Sequence, residues 1–420
     1  AWTLANATGA AGTGFDQVTG TGALTMSNTA ASPFTVYVFG NATNWSGNTT
    51  SWNIISAASQ SGFSSGNFAI NLASFGIASA NRTGTWSFTN PSGGNITLNY
   101  TAAGADSIWA GTTGVWSGNF TPGVSTDKNI TFTGDGGTAT NDIASGTLSS
   151  VNFITFNSTA GAYTLAANAG SAGASGGTAL TVTGDITNNS ASNQAISMNL
   201  AMGGSSTGII NTAAGNITIS GVISGTGGLT KEGNRTLTLS AANTFSGVTT
   251  VNNGTLVLSG QPTTGSLVIN SGATVNAGLN TLGFMSSVTI NGGTLTPGHF
   301  LRSFAGALTM TNGTISAGGD FAAGSYTLYG NNTIATSITD RGATFNVVSG
   351  TTTVSGAIQF YWGGSLTKNG NGTLVLSGNN TYLAPTVINA GTLNAASANA
   401  LGSNTTVQVN GGTLLVSADS

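Results

Sequence analysis

Few residues in this chain could do acid, base or metal chemistry. The one histidine, His299, sits beside Pro297-Gly298 and Phe300, and there is no cysteine. A zinc site draws on several His, Cys or carboxylate ligands, and a Ser/His/Asp nucleophile needs a histidine with its own orienting acid. His299 therefore reads as a turn residue. The acidic residues are Asp16, Asp106, Asp127, Asp135, Asp142, Asp185, Glu232, Asp320, Asp340 and Asp419. Asp320 and Asp340 are 20 apart in sequence, which on a stacked-strand fold could place them on adjacent coils about 4.8 Å apart. A retaining glycosidase needs two carboxyls about 5 Å apart. Arg302 and Arg341 are available as partners and no groove-forming aromatics surround the pair, so a salt-bridge cluster is the favoured reading.

Three further groups have residue types that could bind or react. Gly134-Asp135-Gly136-Gly137 with Asp142 could hold a calcium ion loosely, but it lacks the ligand count of a committed loop and reads as a turn. Lys231-Glu232 and Lys368-Asn369 occupy equivalent corners, so the lysine reads as a repeat feature rather than a base. Trp362 follows Phe360 and Tyr361, and three consecutive aromatics on a strand cannot all face inward. One of them faces an interface, with contact to a glycan as the alternative reading. No Walker loop and no basic stripe interleaved with aromatics appears. No residue is assigned as catalytic, cofactor-binding or metal-ligating, and no cofactor is expected; an enzyme is not the expected class.

Composition narrows the choice. Charged residues are 4% of the 420, against about 25% in ordinary soluble domains. Hydrophobic residues are 39% and the net charge is −3, which argues against disorder by self-repulsion. The polar surface must come from Thr, Ser and Asn. Such a surface builds little electrostatic field, so nucleic acid is not an expected partner, while copies of the chain repel one another only weakly. No apolar run is long enough for a membrane helix. The chain starts at Ala1 without a signal peptide, which points to a removed export signal or to a segment of something longer. Sequons such as Asn95-Ile96-Thr97 are frequent, as chance dictates in a chain rich in Asn and Thr.

The elements that position these residues repeat. Residues 229–256 read LTKEGNRTLTLSAANTFSGVTTVNNGTL and residues 366–393 read LTKNGNGTLVLSGNNTYLAPTVINAGTL, an ungapped match at an offset of 137. A shorter beat lies beneath: turn glycines preceding a Thr and an apolar residue fall at Gly254, Gly272, Gly293 and Gly313, then at Gly372, Gly391 and Gly412. Between them polar and apolar residues alternate, as in Thr236-Leu237-Thr238-Leu239, which is strand geometry. A beat near 20 residues matches one coil of a parallel β-helix. The fold class expected is all-β: a parallel β-solenoid of about 20 residues per coil, preceded by an antiparallel, aromatic-rich β domain. A stack of antiparallel hairpins is the competing architecture, since Asn-Gly also makes hairpin turns.

Three segments are expected. Residues 1–105 cluster Trp45, Trp52, Phe63, Phe68, Phe75, Trp86, Phe88 and Tyr100 without the 20-residue beat, as in a β-sandwich-like module. Residues 106–225 read as irregular lead-in coils and 226–420 as the repeat solenoid.

The stretch from Gly227 to Leu256 resembles the autotransporter-associated β-strand repeat of bacterial autotransporter passengers and large exported proteins. Gly228, Lys231, Gly233, Leu237, Leu239, Asn243, Phe245, Gly247, Val251, Gly254 and Leu256 fall on the family pattern. The second copy departs from the first at Leu383-Ala384-Pro385. Residues 108–225 look like the lead-in of such modules and 1–105 like their closing tail, an order that suggests a window cut from tandem modules. The resemblance implies secretion, a β-helix and an extracellular or bacterial cell-surface location; it does not imply a catalytic role, because passengers vary widely. The expected function is a structural subunit that self-associates end to end into a filament, sheath or surface layer. The alternative is an adhesin-type passenger binding glycans or host surfaces.

Overall fold

The structure is a computed structural model. It describes residues 2–3, 17–19, 21, 23–25, 34–39, 50–61, 63–65, 68–72, 85–90, 95–101, 104–121, 123–126, 128–202, 208–260, 265–278, 282, 285–298, 304–339, 342–360, 363–403 and 406–417. These divide into two compact units, Ala1–Asp106 with Asp127–Asn129, and Ser107–Thr126 with Ile130–Ser420.

The larger unit is a parallel β-solenoid of about 14 turns, roughly 20 residues per coil. Alternating Thr-Leu-Thr-Leu segments put one side chain in and the next out, and each strand pairs with its equivalents in the coils before and after it. Two sheets run along the stack with 16 and 15 strands. A third face carries shorter sheets. One has four strands (Ser150–Val151, Leu180–Val182, Leu200–Met202, Ile223–Ser224) and one has three (Asp320–Phe321, Ser337–Thr339, Ile358–Gln359). Both long sheets continue through residue 225, with Ile210 paired to Lys231 and Thr218 to Thr238.

The core is built as columns. On the longer sheet one inward column runs Ile130, Ile154, Ile186, Ile210, Lys231, Val251, Ile269, Ile290, Met310, Leu328, Val347. On the other sheet Ile217, Leu237, Leu256, Val275, Leu295 and Ile315 stack in the same way. Leu237, Leu256 and Leu374 are fully buried, as the alternation predicts. Burying a leucine of this kind stabilises by about 1.5–3 kcal/mol. Trp109, Trp116, Phe120, Phe132 and Phe156 fill the first coils, and Phe120 meets both tryptophans edge to face. The single helical turn among the described residues, Trp116–Asn119, belongs to this aromatic end.

The smaller unit contains the expected antiparallel sheet: Asn95–Thr101 lies between Thr50–Ser56 and Thr85–Thr89. Its core joins Val36, Val38, Trp52, Ile54, Phe88, Ile96 and Leu98, and Trp52 stacks on Trp86 with ring centroids 5.8 Å apart. Parallel pairs occur in it as well: Phe34 with Phe68, Val18 with Ile55 and Ala23 with Ser59. These offsets of about 36 residues are long beside the ~20-residue coil.

Candidate functional site

The chemically distinctive place in the solenoid is the corner that follows each repeat's Leu-Thr-Lys strand. Lys231 stands in an aliphatic column with Ile210 before it and Val251 after it. Lys368 stands between Phe345 and Ile388. Both lysines are fully buried. A buried ammonium must have its three protons accepted, and in both repeats backbone carbonyls do this. Lys231 Nζ donates to Glu232 O (2.7 Å), Gly233 O (2.7 Å) and Asn253 O (3.1 Å). Lys368 Nζ donates to Asn369 O (2.9 Å), Gly370 O (2.7 Å) and Ala390 O (3.0 Å). Two acceptors come from the lysine's own corner and the third from the next coil, so each amine ties two coils together.

Burial pulls both lysines down from 10.5 to about 8, with Glu232 partly opposing the shift at Lys231. Lys368 has Asn369 at the place of that carboxylate. Fully enclosed, neither amine can reach an external substrate. The expectation that this lysine is a repeat feature fits the geometry, which adds that the feature is a cation inside the core.

A second buried device recurs one corner further on. Asn243 Oδ1 accepts from Ile223 N, and Asn380 Oδ1 accepts from Ile358 N, both at 2.8 Å. Asn380 Nδ2 also donates to Ala400 O, so its side chain bridges the coils on either side. Outside, amides form ladders: Asn270 Nδ2 donates to Asn252 Oδ1 and Asn291 to Asn270, while Asn389 donates to Asn369 and Asn410 to Asn389. The Glu232 carboxylate heads the first ladder, accepting from Asn252 and Asn253. The match at offset 137 could have singled out the buried asparagines; nothing in the alternation could.

Other candidates fall elsewhere. Asp142 accepts from Ser117 N (2.8 Å) and from Ser117 Oγ. Its partial burial opposes ionisation, but these hydrogen bonds prevail and hold the carboxyl below its usual value. Gly134, Gly136 and Gly137 all have positive φ, the mark of a turn, and Asp135 is exposed beside them. Among the described residues no cluster of three His, Cys, Asp or Glu could hold a metal. Asp320 pairs in register with Ser337, so its neighbour in the next coil of that sheet is a serine. Asp340, Arg302, Arg341, His299, Tyr361, Trp362, Trp45 and Phe75 lie outside the described residues. Phe360 is buried against Tyr382. The corner where the repeats depart from each other does differ. A Cβ at Gly247 would lie 2.4 Å from the Gly227 backbone, whereas the second repeat carries Ala384 there.

Two stretches match the family model of the passenger-associated-transport-repeat, residues 229–258 and 366–395, each containing a buried lysine and its bridging asparagine. The chain thus carries repeats of the autotransporter passenger class, the class of exported proteins found outside the cell or on its surface. It is similar to the autotransporter adhesin BmaC of Brucella suis biovar 1 (strain 1330), at 30% identity over 201 residues, covering 39% of this chain and 6% of that protein's length. No solved structure matches the chain. Among the described residues no helix is long and apolar enough to cross a membrane.

Proposed function

We propose that the chain is part of an adhesive surface passenger, in which the solenoid is a stiff extracellular rod that displays its outer faces to a surface partner. The observation that carries this reading is the pair of sheets continuing through every coil, joined to passenger repeats and to similarity with an adhesin. Because each coil is hydrogen-bonded to its neighbours and contacts little else, such a stack resists bending while leaving its outer residues free to contact ligands. The partner class is a glycan or protein of a host surface. The fold and repeats belong with structural and adhesive passengers rather than with a catalytic centre.

The test is to display this segment on a non-adherent bacterium, fused to an unrelated surface anchor, and to count cells retained on cultured epithelium and on glycan arrays. Retention above that of the anchor alone supports the reading. Retention equal to the anchor alone, with the segment shown to be folded on the surface, overturns it.

A second reading is self-association into filaments or layers. It is favoured by the near-absence of charge, 4% of residues, which leaves little repulsion between copies. Electron microscopy of the purified chain at high concentration checks it, and dispersed single particles throughout would refute it.

A further inference from the structure

Each buried ammonium touches the carbonyl of an Asn-Gly peptide bond. Lys231 Nζ donates to Asn253 O, the carbonyl bonded to the Gly254 nitrogen. Lys368 Nζ donates to Asn369 O, the carbonyl bonded to the Gly370 nitrogen. The two repeats achieve this at different places, since the residue equivalent to Asn253 is Ala390 and the one equivalent to Asn369 is Glu232. Six Asn-Gly pairs occur in the chain, beginning at Asn253, Asn291, Asn312, Asn369, Asn371 and Asn410. The lysine contacts fall on the first and fourth of these.

An Asn-Gly peptide is prone to attack by the glycine nitrogen on the asparagine Cγ, because no side chain shields the nucleophile. The difficult part is removal of the amide proton, which throws negative charge onto the carbonyl oxygen. A preorganised cation at that oxygen stabilises the developing charge, and it does so from a buried position, where such donors act most strongly, while the asparagine side stays open to water. The attacked groups are also engaged. Asn369 Oδ1 accepts from Asn389 Nδ2 at 2.9 Å, which polarises Cγ. Asn253 Nδ2, the leaving nitrogen, donates to Glu232 Oε2 at 3.3 Å. Both glycines hold positive φ, 65° at Gly254 and 77° at Gly370. At three of the other pairs the attacking nitrogen is committed elsewhere. Gly292 N donates to Thr311 O, Gly313 N to Asn332 Oδ1 and Gly372 N to Val347 O.

We propose that Lys231 and Lys368 mark Asn253-Gly254 and Asn369-Gly370 as sites of spontaneous succinimide formation, so that the folded chain acquires aspartyl or isoaspartyl residues at these two corners. The glycine nitrogen loses its proton to water and forms a bond to Cγ. The Cγ–Nδ2 bond breaks and Nδ2 leaves as ammonia, taking up a proton. Water then opens the ring at either carbonyl, so the net change is one water consumed and one ammonia released. At residue 369 the product places a carboxylate beside Lys368, where the first repeat already has Glu232 beside Lys231. The modification thus completes in the second repeat a charge pair that the first repeat encodes.

The experiment is a time course of the folded chain near neutral pH, with peptide mass spectrometry and enzymatic isoaspartate labelling at all six pairs. Asn253 and Asn369 convert about tenfold faster than Asn410, the equivalent of about 1.4 kcal/mol of barrier. In urea, where the cradles are gone, that lead disappears. Lys368→Met brings Asn369 to the Asn410 rate and leaves Asn253 unchanged. Equal rates in the folded chain, a lead that persists in urea, or a folded Lys368→Met protein with an unchanged Asn369 rate each overturn the proposal. Should Lys368→Met not fold, the folded-against-urea comparison decides alone.

Discussion

Tyr382 Oη and Thr386 Oγ1 lie 2.7 Å apart inside the second repeat, where the first repeat has Phe245 and Thr249. Both threonines are buried, so the second repeat has a phenol for Thr386 to pair with where the first has a phenyl ring that can neither donate nor accept such a bond. Tyr382→Phe converts the second site into the first. It removes one neutral hydrogen bond and strands a buried hydroxyl, a cost of about 1–3 kcal/mol. Hydrogen exchange at the strand Thr386–Ile388 reports this locally, which suits a stack whose coils open separately. Protection there falls in Tyr382→Phe while the strand Thr249–Val251 is unaffected.

Adjacent residues on one strand should respond very differently to truncation. Leu256 is fully buried in its column, and Thr255 beside it faces outward. Leu256→Ala leaves a cavity between Leu237 and Val275 and costs about 2–5 kcal/mol. Thr255→Ala stays within about 0.5 kcal/mol. Urea midpoints of the two variants check the contrast, and similar midpoints would place Leu256 outside the core.

That contrast is also the part of the fold most legible in the sequence. Period-2 alternation between turn glycines fixes which side of a strand each residue takes, so Leu237, Leu256 and Leu374 could be placed inside before any coordinate was known. The lysine was legible only as a recurring corner residue. Its burial depends on Asn253 or Ala390, supplied by the following coil, and no local pattern encodes a carbonyl 22 residues away. The parallel pairs of the smaller unit were not legible either, since partners such as Val18–Thr19 are too short to show a period. The candidate pairing of Asp320 with Asp340 assumed an offset of 20, whereas the register around Asp320 is 17, set by its pairing with Ser337.

Asparagine side chains separate in the same manner. Asn380 is buried and joins Ile358 N to Ala400 O, whereas Asn379 is exposed and takes part in an amide ladder with Asn399. Asn380→Ala leaves a buried donor and a buried acceptor unpaired, at about 1–3 kcal/mol each. Asn379→Ala exposes its partner to water and changes stability by about 0.5 kcal/mol or less. Thermal melts rank the two, and the Asn380 variant additionally loses exchange protection at Ile358 N.

The buried lysines make stability depend on pH in a direction opposite to that of most proteins. Folded, each gives up its proton at about 8, and unfolded at about 10.4. Between these values the folded chain binds fewer protons, so stability rises with pH across that window. Below 8 both states are protonated and the full desolvation cost is present. Each lysine accounts for about 3 kcal/mol over the window, from 1.36 kcal/mol per unit. Burial pushes the phenols of Tyr163 and Tyr382 above 10.0, and unfolded tyrosines ionise there first, so stability turns downward above about 10. Denaturant titrations from pH 7 to 10 should therefore show a rising free energy of unfolding. Lys368→Met removes about half of the rise. Glu232→Gln, which deletes the carboxylate that opposes the shift at Lys231, lets its proton leave at lower pH, so the rise begins earlier and is larger in total.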